Sequence, residues 1–430
     1  MWRRPSRARE AFFEWSEQPA VFRGNALVQI ANETEERAEE LVQLAVREVG
    51  KPLSEARVEL SRAVAILRYY AQLVLAPDGE TYPAAQSSDW LIARRYPAGV
   101  CALLTPWNFP VAIPVWKAAP ALGYGNTVVL KPAPESTVTA HTLTEIVARH
   151  LPEGAFQLVA GDAETGETLV NHPDVTAVSF TGSTKVGRIV AQQVVGRGAK
   201  VQCEMGGQNP SVVLADADLE AAAATIAYAA MGYAGQKCTA TSRVIIEDVV
   251  YEGMRDRLVA AVEGLEVTDP VKESCQVGPL IRADSRNSAL DALDRSGGNK
   301  LAGGRPLDGD GFYLEPTLVE VKDPNNLLAQ QEVFAPVTAL MRAESAKEAV
   351  RLANGVRQGL VAAVFTNDLD KAMAMAGQLE AGLVRVNAST AGVDYHVPFG
   401  GSKESGIGPK EQGLAARDFY TETRRLLISP

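Results

Sequence analysis

Residues 177–204 read AVSFTGSTKVGRIVAQQVVGRGAKVQCE, and this stretch decides the fold. Ala177 to Phe180 has the short apolar run of a buried strand, Lys185 to Val195 carries apolar residues at helical spacing, and Lys200 to Glu204 reads as a second strand. The turn Thr181-Gly182-Ser183 joins the first strand to the helix. Strand, turn, helix and strand make one right-handed crossover unit, which calls for a parallel sheet. The same turn leaves backbone N–H groups at the positive end of the helix, where a pyrophosphate can rest. It lacks G-x-G-x-x-G spacing, and many Gly-Ser turns only cap helices, so both readings stay open for Gly182 and Ser183.

Upstream the alternation repeats, with strands at Val100–Leu104, Thr127–Leu130 and Phe156–Val159 and helices at Ala112–Tyr124 and Val138–His150. A second series follows Asn209: strand Val212–Leu214, helix Leu219–Gly232, strand Arg243–Glu247, then strands Val337–Met341, Leu360–Phe365 and Leu383–Val386. The fold class is therefore α/β, in two units joined near residue 206. Residues 7–76 have helical periodicity: Glu35 to Val49 places Ala38, Leu41, Val42, Ala45 and Val49 on one face before the Gly50-Lys51-Pro52 stop. Residues 79–97 change character, and the alternation of Trp90 to Tyr96 predicts a half-buried strand in a hairpin leaving the main body.

The 430 residues hold 42 Lys and Arg against 52 Asp and Glu, a net charge of −10. No basic cluster interleaved with aromatics follows a nucleic-acid backbone, which argues against that partner. No apolar run approaches the roughly 18–20 residues that span a bilayer, and the start leads into a charged helix rather than a signal core. The expected location is cytoplasmic. Cys101, Cys203, Cys238 and Cys275 show no C-x-x-C spacing, and the four histidines are dispersed, so neither a disulfide framework nor a metal site is expected. Cys101 and Cys203, in apolar strand runs, read as packed core thiols.

Cys238, in Gly235-Gln236-Lys237-Cys238-Thr239, follows the carboxylate of Glu204 in Glu204-Met205-Gly206-Gly207. A thiol can attack a carbonyl, and a nearby carboxylate can activate the water that releases the thioester. Either residue alone has a blander reading, as a small core hydrophobe or a strand-end charge. Asn108, held between two prolines in Pro106-Trp107-Asn108-Phe109-Pro110, can cap a strand or offer amide N–H donors to a developing oxyanion. Lys131 ends a strand at the carboxyl edge of the sheet, where ligands of open α/β sheets bind, or is simply solvated there.

In this order, the runs Pro106–Pro110, Trp116-Lys117, Lys131-Pro132, Phe180–Ser183, Glu204–Gly207, Gly235–Cys238, Glu332–Val337 and Pro398–Lys403 resemble the aldehyde dehydrogenase superfamily, from about Arg7 to Arg424. The resemblance implies a Rossmann-type cofactor domain at 1–78 and 98–205, an α/β catalytic domain at 206–404, and oligomerisation segments at 79–97 and 415–430 that would build a homodimer or homotetramer. It implies Cys238 as nucleophile, Glu204 as general base, Asn108 with the Cys238 backbone N–H as oxyanion hole, and Lys117 with Glu411 as the pair supporting Glu204. Trp107, Lys131, Pro134, Gly182, Ser183, Met205, Glu332 and Phe334 fall at cofactor contacts, with Glu332 on the nicotinamide ribose. The implied reaction oxidises a small aldehyde to its acid with NADP or NAD.

Two departures matter. Family members usually carry roughly fifty further residues, as initial strands, ahead of the helix near Arg7; either the true start lies upstream of Met1 or the cofactor domain is without edge strands that other elements must cover. Many NAD-preferring relatives have a glutamate three residues after the matching lysine, where its charge repels a 2′-phosphate. Here that residue is Pro134, with Glu135 one step beyond, so NADP is expected to serve at least as well as NAD. The stretches Thr390–Phe399 and Gly408–Gly413 look most like the branch oxidising 2-oxoglutarate semialdehyde, with succinate semialdehyde as the rival and Arg94, Arg243 or Arg385 as candidates to face a substrate carboxylate. A non-redox cysteine hydrolase would want a histidine base, and none of His141, His150, His172 or His396 lies in a matching motif. A non-catalytic protein on this fold would not need thiol, carboxylate and amide donor together.

Overall fold

The computed structural model describes residues 3–430. Two sheets dominate. The first orders its strands as Gly406–Ile407, Lys200–Met205, Val175–Gly182, Val100–Thr105, Thr127–Pro132 and Phe156–Leu158, all parallel except the first, which runs antiparallel against Cys203 and Glu204. Along Val100–Thr105 alternate residues enter opposite cores: Cys101 and Leu103 pack towards the amino-terminal helices, Val100, Ala102 and Leu104 towards Val178, Phe180 and Val190. A parallel sheet covered on both faces has this signature.

The chain enters this sheet in its middle, at Val100–Thr105, builds outward through Thr127–Pro132 to Phe156–Leu158, then returns to lay Val175–Gly182 on the other side. The reversal makes a crevice beyond the carboxyl ends of the two central strands, at Thr105 and Gly182, and such a switch point is where open sheets bind ligands. The second sheet, ordered Asn299–Ala302, Thr317–Glu320, Val337–Ala343, Thr241–Glu247, Asn209–Val213, Val361–Phe365 and Leu383–Val386, is parallel apart from its first pair and encloses a separate core. A three-stranded antiparallel sheet stands apart: Gly79–Tyr82 pairs with Trp90–Pro97, and Thr421–Ile428 runs the whole length of Trp90–Pro97.

Several expectations change. The helix expected from Glu35 begins at Ala38, because Glu35 and Glu36 close the preceding helix Ala20–Glu36 and the chain kinks at Arg37. Its buried face is Leu41, Val42, Ala45, Val46 and Val49, while Ala38 is only half-buried. Helices Ala163–Val170, Tyr251–Glu263 and Ala283–Ser296 and strands Asn299–Ala302 and Thr317–Glu320 had no counterpart in the sequence reading. Among the described residues no helix is long and apolar enough to cross a membrane.

Candidate active site

The nucleophile loop is built on backbone strain. Helix Leu219–Met231 runs into Gly232–Gly235, where Tyr233 (φ 57°), Ala234 (φ 53°) and Gly235 (φ 65°) are all left-handed. For Tyr233 and Ala234 this costs roughly 1–2 kcal/mol each, and the surroundings hold them there. The Tyr233 N–H donates to the Gln276 carbonyl, its hydroxyl reaches the Val49 carbonyl, and Gln236 accepts from the Ile281 N–H while donating to the Pro279 carbonyl. At Gly235 a Cβ would lie 2.3 Å from the Ala335 carbonyl oxygen, so the position excludes side chains by contact as well as by φ. The loop then delivers Cys238, partly exposed, into a cavity of about 380 Å³.

Glu204 and Asn108 line the same cavity, with Trp107, Trp116, Gly182, Ser183, Met205, Glu332, Phe334 and Phe399. Glu204 comes from the end of Lys200–Met205 and accepts the Gly401 N–H at 3.0 Å. A Cβ on Gly400 would lie 2.2 Å from its Oε1, so the bare backbone of Gly400-Gly401 makes room for the carboxylate. Burial and the neighbouring Glu411 charge push the Glu204 carboxyl well above the carboxylate range. Glu411 is paired with Lys117 in a buried ion pair, and Ser179 bridges them, accepting from Lys117 Nζ at 2.7 Å. Its backbone exchanges two hydrogen bonds with Phe399, next to Gly400. Lys117 and Glu411 thus lie together beside Glu204.

Asn108 donates from Nδ2 to the Gln236 carbonyl at 2.9 Å, two residues before the thiol, which leaves one amide hydrogen for another acceptor. Its loop is braced from below by residues the sequence reading passed over. Lys51 Nζ, fully buried, donates to the Asn108 carbonyl at 2.9 Å and pairs with Glu59, whose Oε1 accepts from the Val111 and Ala112 N–H groups at 2.8 Å each. The Cys238 thiol is pushed up to about 12, first by burial, then by Glu332 and Glu204. Burial likewise raises Glu332 to about 7. The thiol of the free protein is therefore protonated at neutral pH, and the nearby carboxylates are where its proton can go.

A groove of about 700 Å³ continues from this cavity through shared walls at Pro106, Trp107, Thr181, Gly182, Ser183 and Arg282, along the switch-point crevice, to Lys131, Pro134 and Glu135. Ser183 caps helix Thr184–Gly196, and Trp107 meets Phe334 edge to face at 5.8 Å. The groove suits an extended ligand with an anionic middle. It has a helix amino terminus at its waist, a lysine at its far end, and the hydroxyls of Thr105 and Thr181 buried without a partner among the described residues. Lys131 is not solvated: it is buried, its ammonium donates to the Pro132 carbonyl at 3.0 Å, and desolvation lowers its pKa. A nicotinamide dinucleotide fits these features. Among the described residues no cluster of histidine, cysteine or acidic groups could hold a metal.

None of the three arginines weighed for a substrate carboxylate lines the cavity. Arg243 is buried and spends its guanidinium on the carbonyls of Gln208, Leu352 and Ala353; Arg94 pairs with Asp78 on the hairpin; Arg385 braces the Gly392 carbonyl.

The model of the aldehyde dehydrogenase family matches residues 4–426. An alpha-ketoglutaric semialdehyde dehydrogenase of Bacillus subtilis is 41% identical, with 98% of this chain and 88% of that protein covered. A 2,5-dioxopentanoate dehydrogenase of Saccharolobus solfataricus is 37% identical, covering 96% and 88%. Among solved structures, betaine aldehyde dehydrogenase of Staphylococcus aureus in complex with NAD+ superposes with a TM-score of 0.96 at 30% identity, covering 99% of this chain and 86% of that one.

Proposed function

Because this chain belongs to the aldehyde dehydrogenase family, we propose that it oxidises 2-oxoglutarate semialdehyde to 2-oxoglutarate, with Cys238 as nucleophile and NADP or NAD as oxidant. One observation carries the site: thiol, carboxylate and amide donor share a single cavity that opens onto the dinucleotide groove. The substrate rests on the similarity to the semialdehyde dehydrogenases of Bacillus and Saccharolobus.

Cys238 Sγ gives up its proton to a neighbouring carboxylate and adds to the aldehyde carbon, and the resulting alkoxide accepts hydrogen bonds from the free amide N–H of Asn108 and from the Cys238 backbone N–H. The nicotinamide, when bound, supplies the hydride acceptor. Trp107, Met205, Glu332 and Phe334 line the cavity around Cys238 and would hold its ring end, and Lys131, Ser183 and Gly182 in the groove would hold its phosphate and ribose portions. Once the acyl group is a thioester on Cys238, Glu204 removes a proton from water as its oxygen attacks the carbonyl. The C–S bond breaks, the acid leaves and the thiolate returns. Its raised pKa suits Glu204 to both accepting and passing on that proton, and Lys117 and Glu411 hold charge behind it.

Residues 1–78 and 98–205 then form the cofactor domain and 206–404 the catalytic domain. The segments 79–97 and 415–430, whose three-stranded sheet leaves Trp90 65% and Leu427 60% exposed, are the surface for a homodimer or homotetramer. Steady-state rates with 2-oxoglutarate semialdehyde and succinate semialdehyde, each with NAD+ and NADP+, test the proposal. A kcat/KM higher for the oxo acid, lost in Cys238→Ser, is expected. Preference for succinate semialdehyde refutes the substrate, and activity surviving in Cys238→Ser refutes the mechanism.

A further inference from the structure

The groove carries an ion pair that the reaction does not use. Arg282, the residue before helix Ala283–Ser296, reaches from the second sheet's side of the crevice to Glu135, beside Pro134 on the first sheet's side, and the two charges meet at 2.7 Å. The Glu135 side chain is mostly buried and Arg282 mostly exposed, at 17% and 57%. The carboxylate is the fixed member and the guanidinium the movable one. Arg282 also lines the cavity that holds Cys238, so it lies along the wall shared by both hollows.

Charge at this end of the groove is short of cations: Glu135, Asp162 and Glu167 line it against Lys131 and Arg282. Lys131 is the other cation, and it feels both Asp162 and Glu135. An unpaired Glu135 carboxylate would repel an anionic group placed between it and Lys131. Arg282 removes that repulsion in the free protein and presents a planar, two-pronged donor suited to a phosphate.

We propose that Arg282 and Glu135 form an exchangeable latch across the groove that sets the choice between NADP and NAD, Arg282 leaving the carboxylate for the 2′-phosphate when NADP binds. NAD has no group to draw it away, so the latch stays closed over NAD. This rests on the reading of the groove as the dinucleotide site.

The test is direct binding of NAD+ and NADP+, by calorimetry or quenching of tryptophan fluorescence, to the full-length parent, Arg282→Ala, Glu135→Gln and the double variant. Arg282→Ala is expected to raise the Kd for NADP+ by about tenfold or more, since a charge-assisted pair is lost and Glu135 is left bare, with the Kd for NAD+ changed by less than about twofold. Glu135→Gln is expected to tighten NADP+ by about threefold, because Arg282 is released and the repulsion is gone. Adding Glu135→Gln to Arg282→Ala should recover part of the NADP+ loss. Equal weakening of both cofactors by Arg282→Ala, or an unchanged ratio in all variants, overturns the latch. Failure of the parent to bind either dinucleotide would instead overturn the groove assignment.

Discussion

Replacing Lys51 by methionine leaves the Glu59 carboxylate buried without its paired ammonium and frees the Asn108 carbonyl from a charged donor. Lys51 and Glu59 are 0% and 3% exposed, and Glu59 also holds the Val111 and Ala112 N–H groups, so water cannot readily take the place of the lost ammonium. Breaking one side of such a pair costs about 3–5 kcal/mol. At about 2.1 cal/mol/K of unfolding entropy per residue, a chain of this length loses roughly 1 °C of Tm per kcal/mol, so scanning calorimetry should show a fall of about 3–6 °C. The catalytic effect should be larger in proportion. The Asn108 amide loses its backbone anchor, and one oxyanion donor out of place costs about a hundredfold in kcat, while dinucleotide affinity, measured by titration, should hold. A variant with parental Tm and parental kcat would refute the bracing argument. A loss of stability with kcat intact would confine Lys51 to folding.

Glu204→Gln should raise Tm at neutral pH: a carboxyl whose folded pKa is raised contributes stability below its unfolded pKa and loses it as pH climbs through the folded value. The gain over the parent should therefore shrink as pH falls into the ordinary carboxylate range, and a gain that grows on acidification would contradict the shift. Alkylation of Cys238 by iodoacetamide in the free protein should speed up about tenfold per pH unit between roughly pH 7 and 9 without levelling off, as for a thiol titrating well above that window; a plateau near neutrality would show a preformed thiolate. Gly235→Ala should fold less stably and lose nearly all turnover, because the new methyl meets the Ala335 carbonyl at 2.3 Å and the left-handed turn ahead of Cys238 must open; parental kinetics would show the turn to be dispensable.

What could be read from the chain alone follows a physical line. Cys238, Glu204 and Asn108 each sit in short runs whose residue types are dictated locally, by a turn, a strand end and a proline-framed loop. The two-sheet α/β architecture was legible because apolar runs alternated with helical spacing on both sides of residue 206. Lys51 looked like part of a helix stop, and only the folded chain carries its Nζ to the Asn108 carbonyl, 57 residues on. The left-handed Tyr233 and Ala234 oppose their own preferences, so no propensity could place them; such strain gathers at functional sites. Arg282 lies in the long stretch between Glu247 and Val337, where the apolar pattern marks no strand, and nothing local ties it to Glu135, 147 residues before it in the chain. The helix Ala163–Val170 is not legible in the sequence because it is short and contains Gly166, although Asp162 supplies its cap.

The central claim is that the acyl group passes through Cys238 and leaves by way of Glu204. Intact-protein and peptide mass spectrometry of Glu204→Gln, sampled during turnover of 2-oxoglutarate semialdehyde with NADP+, tests it most directly. The expected spectrum shows one 2-oxoglutaryl group on the peptide carrying Cys238, accumulating because its hydrolysis has lost the base. Product forming at the parental rate with that peptide unmodified, or the acyl group found on another residue, would contradict it.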